Sequence, residues 1–189
     1  GVITSFESYD GLYDVSFSRQ VVLKLNNGEL LFGGSNGFVV FQPADMGKNI
    51  FVPPVYITGF KIANMPVDFK SQKSPIDKPI WQTKALTLKH NQSDITFEFS
   101  ALNYSTPEKN KFKYKLEGFD NDWVYSGKER RAIYTNLDPG KYRFNVQASN
   151  NDGIWNEKGA TLQVTILKPF WNTWVAYIIY SLAVFVILS

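Results

Sequence analysis

Several residue types are missing or nearly missing from this chain of 189 residues, and each absence removes a class of function. There is no cysteine, so disulfides and thiolate metal sites are excluded. His90 is the only histidine, which leaves no convincing Ser-His-Asp set and no His/Cys metal cluster. A lone histidine between two strand candidates is typical of a polar loop. We therefore predict no catalytic residue, no metal site and no cofactor.

A strong charge of either sign is also lacking. The 20 basic and 17 acidic residues give a net charge of +3 and are spread along the chain. A nucleic-acid surface would show a clustered basic patch, so no nucleic-acid partner is expected. The opening GVITSFESYDG has neither the basic start nor the apolar core of a signal peptide. If the protein is exported, we expect its targeting signal upstream, with this chain as a fragment.

Charge is wholly absent from the last twenty residues, Phe170 to Ser189. From Val175 to Leu188 there are nine Val, Ile, Leu or Phe residues. Together they favour membrane insertion by roughly 3–5 kcal/mol. A short apolar run can instead be a buried core helix, but such a helix normally shows a polar face, and this one has none. We predict that 169–189 is the start of a truncated transmembrane helix, with aromatic residues at the membrane interface: Phe170, Trp171, Trp174 and Tyr177.

The rest of the chain favours β-structure, and its first part predicts a small meander. In residues 1–52, VVLKL turns at Asn26-Asn27-Gly28 into ELLFGG, which turns at Ser35-Asn36-Gly37 into FVVFQP. Asn-Gly between apolar runs is a strong hairpin signal. Three short strands cannot bury both of their faces, so such a unit needs neighbours, as a propeller blade does.

A second region, 53–168, predicts a sandwich of two sheets. Pro53-Pro54 marks its start, because neither residue can donate to a strand ladder. Asp68 to Trp81 is predicted to be a loop. Seven short segments have the two-residue period of half-buried strands, as expected for a fibronectin-III/Ig-like β-sandwich: Val55 to Ile62, Ala85 to Leu88, Asp94 to Leu102, Lys111 to Gly118, Arg131 to Leu137, Lys141 to Ser149 and Thr161 to Leu167.

One local pattern in this region predicts a tyrosine corner. Leu137-Asp138-Pro139-Gly140-Lys141-Tyr142 leads into a strand with alternating apolar residues. In a tyrosine corner, a phenol hydroxyl near the start of such a strand bonds to backbone just upstream. We therefore expect Pro139 and Gly140 to make the turn and a buried Tyr142 to lock it.

Specific segments resemble a known family of sensors. The run from Phe6 to Pro43, with its DGL and GELLFGGSNGFVVFQP, resembles the last propeller blade of periplasmic regulators in Bacteroides-type hybrid two-component systems. FKYKLEGFDNDW, IYTNLDPGKYRF and VQASNNDGIW resemble their Y_Y_Y domain, and KPFWNTWVAYIIY is similar to their exit into a membrane helix. The resemblance makes Tyr114, Tyr134 and Tyr142 the naming tyrosines, with Trp123 and Trp155 as further structural signature residues.

The resemblance implies a non-enzymatic relay at the periplasmic face of the bacterial inner membrane, with a single span. It would pass the ligand state of an upstream propeller to a downstream histidine kinase, in a homodimer, with any oligosaccharide ligand bound mainly outside this segment. The alternative is an accessory glycan-binding or spacer module of a secreted or membrane-anchored enzyme, since the fold alone does not separate the two.

Two further groups of residues are candidates for binding. Asp120-Asn121-Asp122 resembles the opening of a calcium loop, but Trp123-Val124-Tyr125 breaks that pattern, which favours a turn. Trp81, Trp123, Tyr125 and Trp155 could present flat rings to a sugar. Filling the core or capping the ends of the sandwich is the interpretation that we favour for these rings.

Overall fold

The computed structural model describes residues 16–43, 49–72 and 74–188. The chain divides into two compact units, Gly1–Ile50 and Phe51–Ser189. This boundary lies two residues before the predicted one. The DGL part of the blade-like motif lies outside the described residues.

The first unit contains a three-stranded antiparallel meander. Its strands are β1 (Phe17–Lys24), β2 (Leu30–Gly34) and β3 (Gly37–Phe41), in the order β1-β2-β3. Gly28 has φ of +92° in the first turn, a conformation that favours glycine. Both turns therefore lie where the Asn-Gly pairs predict them. That the meander is a propeller blade stays a prediction.

The second unit holds two sheets and one helix. The elements are β4 (Val55–Ile62), β5 (Met65–Pro66), β6 (Ala85–Leu88), β7 (Ile95–Ala101), β8 (Lys111–Glu117), β9 (Val124–Gly127), β10 (Arg131–Tyr134), β11 (Gly140–Ser149), β12 (Ala160–Ile166) and α1 (Trp174–Leu188). The four-stranded sheet has the order β10-β7-β4-β5. The five-stranded sheet has the order β6-β12-β11-β8-β9, with only β6 and β12 parallel within it.

The two sheets pack face to face through their inward-pointing residues. Phe97 of β7 and Phe144 of β11 stack with ring centroids 4.0 Å apart, and both side chains are fully buried. Phe99 and Phe112 extend this contact at 5.4 Å. β4, β7 and β10 share one sheet, and β8, β9, β11 and β12 share the other. This matches the way an immunoglobulin-type sandwich separates strands A, B and E from strands C, C′, F and G.

Two short strands are absent from the sequence prediction. β9 covers Val124–Gly127, directly after the predicted Asp-Asn-Asp turn, and β5 covers only Met65–Pro66. The described residues of the predicted loop from Asp68 to Trp81 form no strand, but the loop buries Ile76 and Ile80 against the core. Burial of these two residues anchors the loop on the sandwich.

The C-terminal helix α1 has 15 residues, Trp174–Leu188, which corresponds to a length of about 22 Å. Among the residues that the structure describes, no helix combines the length and the apolar character needed to cross a bilayer. The predicted interface residues Phe170, Trp171, Trp174 and Tyr177 are all exposed, by 56% to 74%. Phe170 and Trp171 lie in a 3₁₀ turn before the helix, and Trp174 and Tyr177 lie in its first turn.

Candidate functional site: the tyrosines and the two junctions of the sandwich

Two of the three naming tyrosines meet in the sandwich. The rings of Tyr114 and Tyr134 pack edge to face, with centroids 6.2 Å apart, and both contact Phe144. The Tyr134 hydroxyl donates to Oδ2 of Asp120 at 2.6 Å, and the Leu116 amide donates to the same oxygen at 2.7 Å. Asp120 is therefore part of a turn that is tied to strand β10, which agrees with the turn interpretation of Asp120-Asn121-Asp122.

Burial raises the pKa of Tyr134 far above its usual value near 10, and the hydrogen bond to Asp120 raises the pKa further. Burial also raises the pKa of Tyr114, with Asp120 and Glu129 adding to the effect. Above pH 10 the unfolded chain loses these phenol protons while the folded chain keeps them. The stability that the two groups contribute is therefore complete below pH about 10 and is lost as the pH rises above that value.

We expect the free energy of unfolding to fall more steeply above pH 10 in the parent chain than in Tyr134→Phe. The variant removes the largest of these pKa shifts, although its stability at neutral pH is lower because Asp120 loses a hydrogen bond. Urea unfolding between pH 8 and pH 11 measures both slopes. If the free energy of unfolding falls equally steeply with pH in the two proteins, the pKa of Tyr134 is not raised as described.

The third tyrosine, Tyr142, forms the corner at the start of β11. Its hydroxyl donates to the carbonyl oxygen of Asp138 at 2.8 Å, across Pro139 and Gly140. This is the hydrogen bond that the spacing predicts. The phenol is half-buried, however, and not buried as expected from the sequence. Gly118 packs beside the ring with φ of +93°, and a Cβ there would lie 3.1 Å from Tyr142 Cδ1 and 3.2 Å from a backbone oxygen.

Tyr142→Phe is expected to lower the free energy of unfolding by about 1 kcal/mol, because one intramolecular hydrogen bond is lost at a half-buried position. A thermal melt measures the change. Tyr125→Phe, with the same atom removed from a side chain that is 70% exposed, is the matched control. If Tyr142→Phe melts at the same temperature as the parent, the hydrogen bond from Tyr142 to Asp138 does not stabilise a tyrosine corner.

The N-terminal junction, residues 51–54, is bound by two asparagines of the loop between β11 and β12. Asn150 is fully buried, and its Nδ2 donates to the Phe51 carbonyl oxygen at 2.8 Å. Its Oδ1 accepts from the amides of Asp152 and Ile154, both at 2.9 Å. Asn150 therefore closes its own turn and holds the incoming chain with the same side chain.

The second asparagine, Asn156, binds the Pro53 carbonyl of the N-terminal junction, and its Nδ2 lies 2.9 Å from that oxygen. The Leu102 amide donates to the Pro54 oxygen at 2.9 Å. The two prolines cannot donate hydrogen bonds, but their carbonyls accept them here. The segment is thereby attached to the β11–β12 loop of the five-stranded sheet and to the residue that follows β7 of the four-stranded sheet.

The C-terminal junction, residues 167–173, is attached to the opposite end of the sandwich. The Leu167 amide donates to the Leu88 oxygen at 2.9 Å, and the Trp171 ring packs edge to face on exposed His90 at 5.1 Å. Thr173 Oγ1 accepts from the Ala176 amide at 3.5 Å, a long N-cap contact, and donates to the Phe170 oxygen at 2.7 Å. These contacts link the sandwich to the first turn of α1.

Strand β12 separates the two junctions. It begins at Ala160, opposite Val146 and close to the loop that carries Asn150 and Asn156. It ends at Ile166, opposite Gly140 and Leu88. Seven extended residues span about 23 Å, so the chain enters and leaves the sandwich at opposite ends.

Three of the four aromatic residues considered for sugar binding form a surface cluster, which we call the aromatic cluster. It consists of Trp123, Tyr125 and Trp155 around the ammonium group of Lys113. Trp123 and Trp155 are half-buried, and Tyr125 is 70% exposed. None of the three belongs to the buried core, so they do not fill it, and that they cap an end of the sandwich stays a prediction. Trp81 lies apart from them, on an apolar surface shared with Tyr56 and Leu102.

The described part of the chain has no group of three or more His, Cys, Asp or Glu side chains that could hold a metal ion. Sequence reasoning missed the roles of Asn150 and Asn156. The Asn150-Asn151-Asp152-Gly153 run before Asn156 is typical of a tight turn, and it does not indicate a contact with the distant N-terminal junction.

Comparison with known proteins identifies part of this sandwich. Residues 103–167 match the Y_Y_Y domain family. The match contains all three naming tyrosines and strands β8 to β12, whereas β4 to β7 lie before it.

Similarity to known proteins covers most of the chain. It is 32% identical over 183 residues, 96% of its length, to Histidine kinase P4 of Formosa agariphila. It is also similar to the extracellular domains of the putative hybrid two component system BT3049 (27% identity, TM-score 0.62, 78% of this chain) and the putative one component system BT4673 (29%, 0.59, 79%) of B. thetaiotaomicron.

These findings confirm the resemblance to sensor regions of two-component systems and support a role in signalling. The chain spans only 13% of the length of Histidine kinase P4 and 20% of each of the two solved chains.

Proposed function

We propose that this chain is a non-enzymatic, juxtamembrane signal relay of a membrane-bound hybrid two-component sensor. It would pass the ligand state of an upstream propeller to a cytoplasmic histidine kinase. The observation that carries the proposal is the attachment of the chain to opposite ends of one sandwich, through Asn150 and Asn156 at one end and Leu88 and His90 at the other.

The physical requirement for such a relay is stiffness. Between the junctions lies a core in which Phe97 stacks on Phe144 and Phe99 contacts Phe112. Close-packed protein interiors have low compressibility and transmit strain. The carbonyls of residues 51, 53 and 54 are each hydrogen-bonded to the sandwich. A pull on this segment therefore moves the whole sandwich, and the contacts at Leu167 and Trp171 pass that movement to α1.

The proposal places the sandwich at the periplasmic face of the inner membrane, with α1 entering the bilayer. The similarity to extracellular sensor domains supports a location outside the cytoplasm. α1 carries no charged side chain, and exposed aromatic residues surround its start. Such rings favour the membrane–water interface.

Membrane binding is tested with the full chain and vesicles of phosphatidylcholine and phosphatidylglycerol, some with brominated acyl chains. Trp171 and Trp174 should be quenched by bromine, whereas Val184→Lys should lower the partition coefficient about 100-fold. Thr87→Lys, an exposed position on β6, is the control for added charge. Equal partitioning of the parent and Val184→Lys would contradict insertion of α1.

We further propose that the sensor works as a homodimer, because one helix alone has no second helix to move against. Sedimentation of the full chain in detergent tests this. A mass that stays that of one chain as concentration rises would contradict it.

The signalling role is tested by a chimera in which this chain replaces the matching 183 residues of Histidine kinase P4. A panel of purified polysaccharides is screened for one that changes kinase phosphorylation in the parent kinase, which keeps its own upstream region. The chimera is expected to respond to the same polysaccharide. A chimera that is expressed in the membrane but gives no response would contradict the relay.

The aromatic cluster favours a second candidate function, a glycan-binding module, because Tyr125 and the two tryptophans present rings at the surface. Affinity electrophoresis tests this function, with each polysaccharide of the panel in a separate gel, and distinguishes a glycan-binding module from a relay that binds no glycan itself. Retardation of the parent that disappears in Tyr125→Ala would support it, and no retardation in any gel would remove it.

A further inference from the structure

We propose that Lys113 is a positioning residue for the N-terminal junction. Its ammonium group holds Trp155 in the aromatic cluster and thereby fixes the loop from Asn150 to Asn156 on the incoming chain. The signalling consequence of this inference rests on the proposed relay, but the positioning itself does not.

The aromatic cluster joins three parts of the five-stranded sheet at one cation. Lys113 lies in the middle of β8, with Tyr125 directly opposite on the edge strand β9. Its Nζ lies 4.8 Å from the ring centroid of Trp155, 5.2 Å from that of Trp123 and 5.8 Å from that of Tyr125. All three distances are within the range of cation–π attraction. One side chain of a central strand therefore holds both the edge strand and the β11–β12 loop.

Trp155 lies between the two groups that complete the N-terminal junction. On one side, the Ile154 amide donates to Oδ1 of Asn150, whose Nδ2 binds the Phe51 oxygen. On the other side, Asn156 binds the Pro53 oxygen through Nδ2 and the Ala148 oxygen through its backbone amide.

The backbone of Trp155 is also fixed to the sheet, because it forms an isolated bridge with Ser149. A shift of the Trp155 ring therefore moves both asparagines that bind the incoming chain.

The ring contacts of Lys113 depend on its charge. In the described part of the chain, no carboxylate forms an ion pair with Lys113 within 4.0 Å. The edge-to-face contact of Tyr125 and Trp155, with planes at 89°, leaves ring faces available to the cation. Removal of the charge with a side chain of nearly the same length should therefore loosen the loop without emptying any part of the core.

The first test compares Lys113→Met, Lys113→Arg and Lys111→Met in the full chain. Lys111 is an exposed lysine on the same strand and the same face, so its variant is the matched control. Amide hydrogen exchange of Ile154 and Asn156 should be about fivefold faster in Lys113→Met, near parental in Lys113→Arg and unchanged in Lys111→Met. The Phe144 amide in the core should be unchanged in all three proteins.

Parental exchange rates at Ile154 and Asn156 in Lys113→Met would overturn the inference. So would equal acceleration in Lys111→Met, because the effect would then be one of general charge. Equal acceleration at Phe144 would also overturn it, since the lysine would then stabilise the whole sandwich and not this loop.

The second test places the same variants in the kinase chimera. A weaker response in Lys113→Met, restored in Lys113→Arg, supports both the inference and the relay. Faster exchange together with a parental response leaves the positioning role standing and contradicts the relay. The failure of one proposal is thus distinguishable from the failure of the other.

Discussion

Replacement of Asn150 by alanine is expected to lower the free energy of unfolding of the second unit by about 2–4 kcal/mol. The side chain is 1% exposed and takes part in three hydrogen bonds, to the Phe51 oxygen and to the amides of Asp152 and Ile154. Without the Asn150 side chain, this carbonyl and these two amides lose a hydrogen-bond partner at part-buried positions. A buried polar group without a partner lowers the free energy of unfolding.

Urea unfolding followed by tryptophan fluorescence measures this change. All five tryptophans lie after residue 80, so the signal reports on the second unit. Asn121→Ala, at an exposed turn position, is the control and should stay within about 0.5 kcal/mol of the parent. A similarly small change for Asn150→Ala would contradict the claim that the Asn150 side chain holds the N-terminal junction through the Phe51 carbonyl.

Replacement of Phe144 by alanine is expected to have the largest effect, a loss of about 3–5 kcal/mol. Phe144 is 0% exposed, stacks on Phe97 at 4.0 Å and contacts the rings of Phe99, Tyr114 and Tyr134. Truncation removes apolar contacts between the sheets and leaves a cavity where both sheets meet.

The same urea experiment measures the Phe144→Ala effect, with Tyr104→Ala as a control at a position that is 87% exposed. The variant should unfold at lower urea with an unchanged slope, because the surface exposed on unfolding is nearly the same. A loss below about 1 kcal/mol would contradict a single core shared by the two sheets.

Local patterns were enough to predict most of the fold. Asn-Gly pairs marked both hairpin turns of the meander, and the two-residue alternation gave the bounds of β4 and β6 as the structure has them. The strand β9 escaped because it has four residues, none of them buried, and therefore no clear alternation. β5 has only two residues, too few for any pattern.

The N-terminal junction could not be predicted, because its contacts are not local. Asn150 and Phe51 are 99 positions apart, and Asn156 and Pro53 are 103 positions apart. The Asn-Asn-Asp-Gly run indicates a turn, but nothing in it shows which carbonyl the buried amide binds. That Lys113 joins the rings of the aromatic cluster could not be predicted for the same reason, since Lys113 and Trp155 are brought together only by the pairing of β8 with β11.

The most direct test of the relay is an insertion of Gly-Ser-Gly-Ser between Pro53 and Pro54 in the kinase chimera. A matched insertion between Ser71 and Gln72, in an exposed loop, is the control. The account predicts that the first insertion abolishes the phosphorylation response to the activating polysaccharide while the second preserves it. A full response with the flexible segment at Pro53-Pro54 would contradict the claim that the sandwich passes movement from its N-terminal junction to α1.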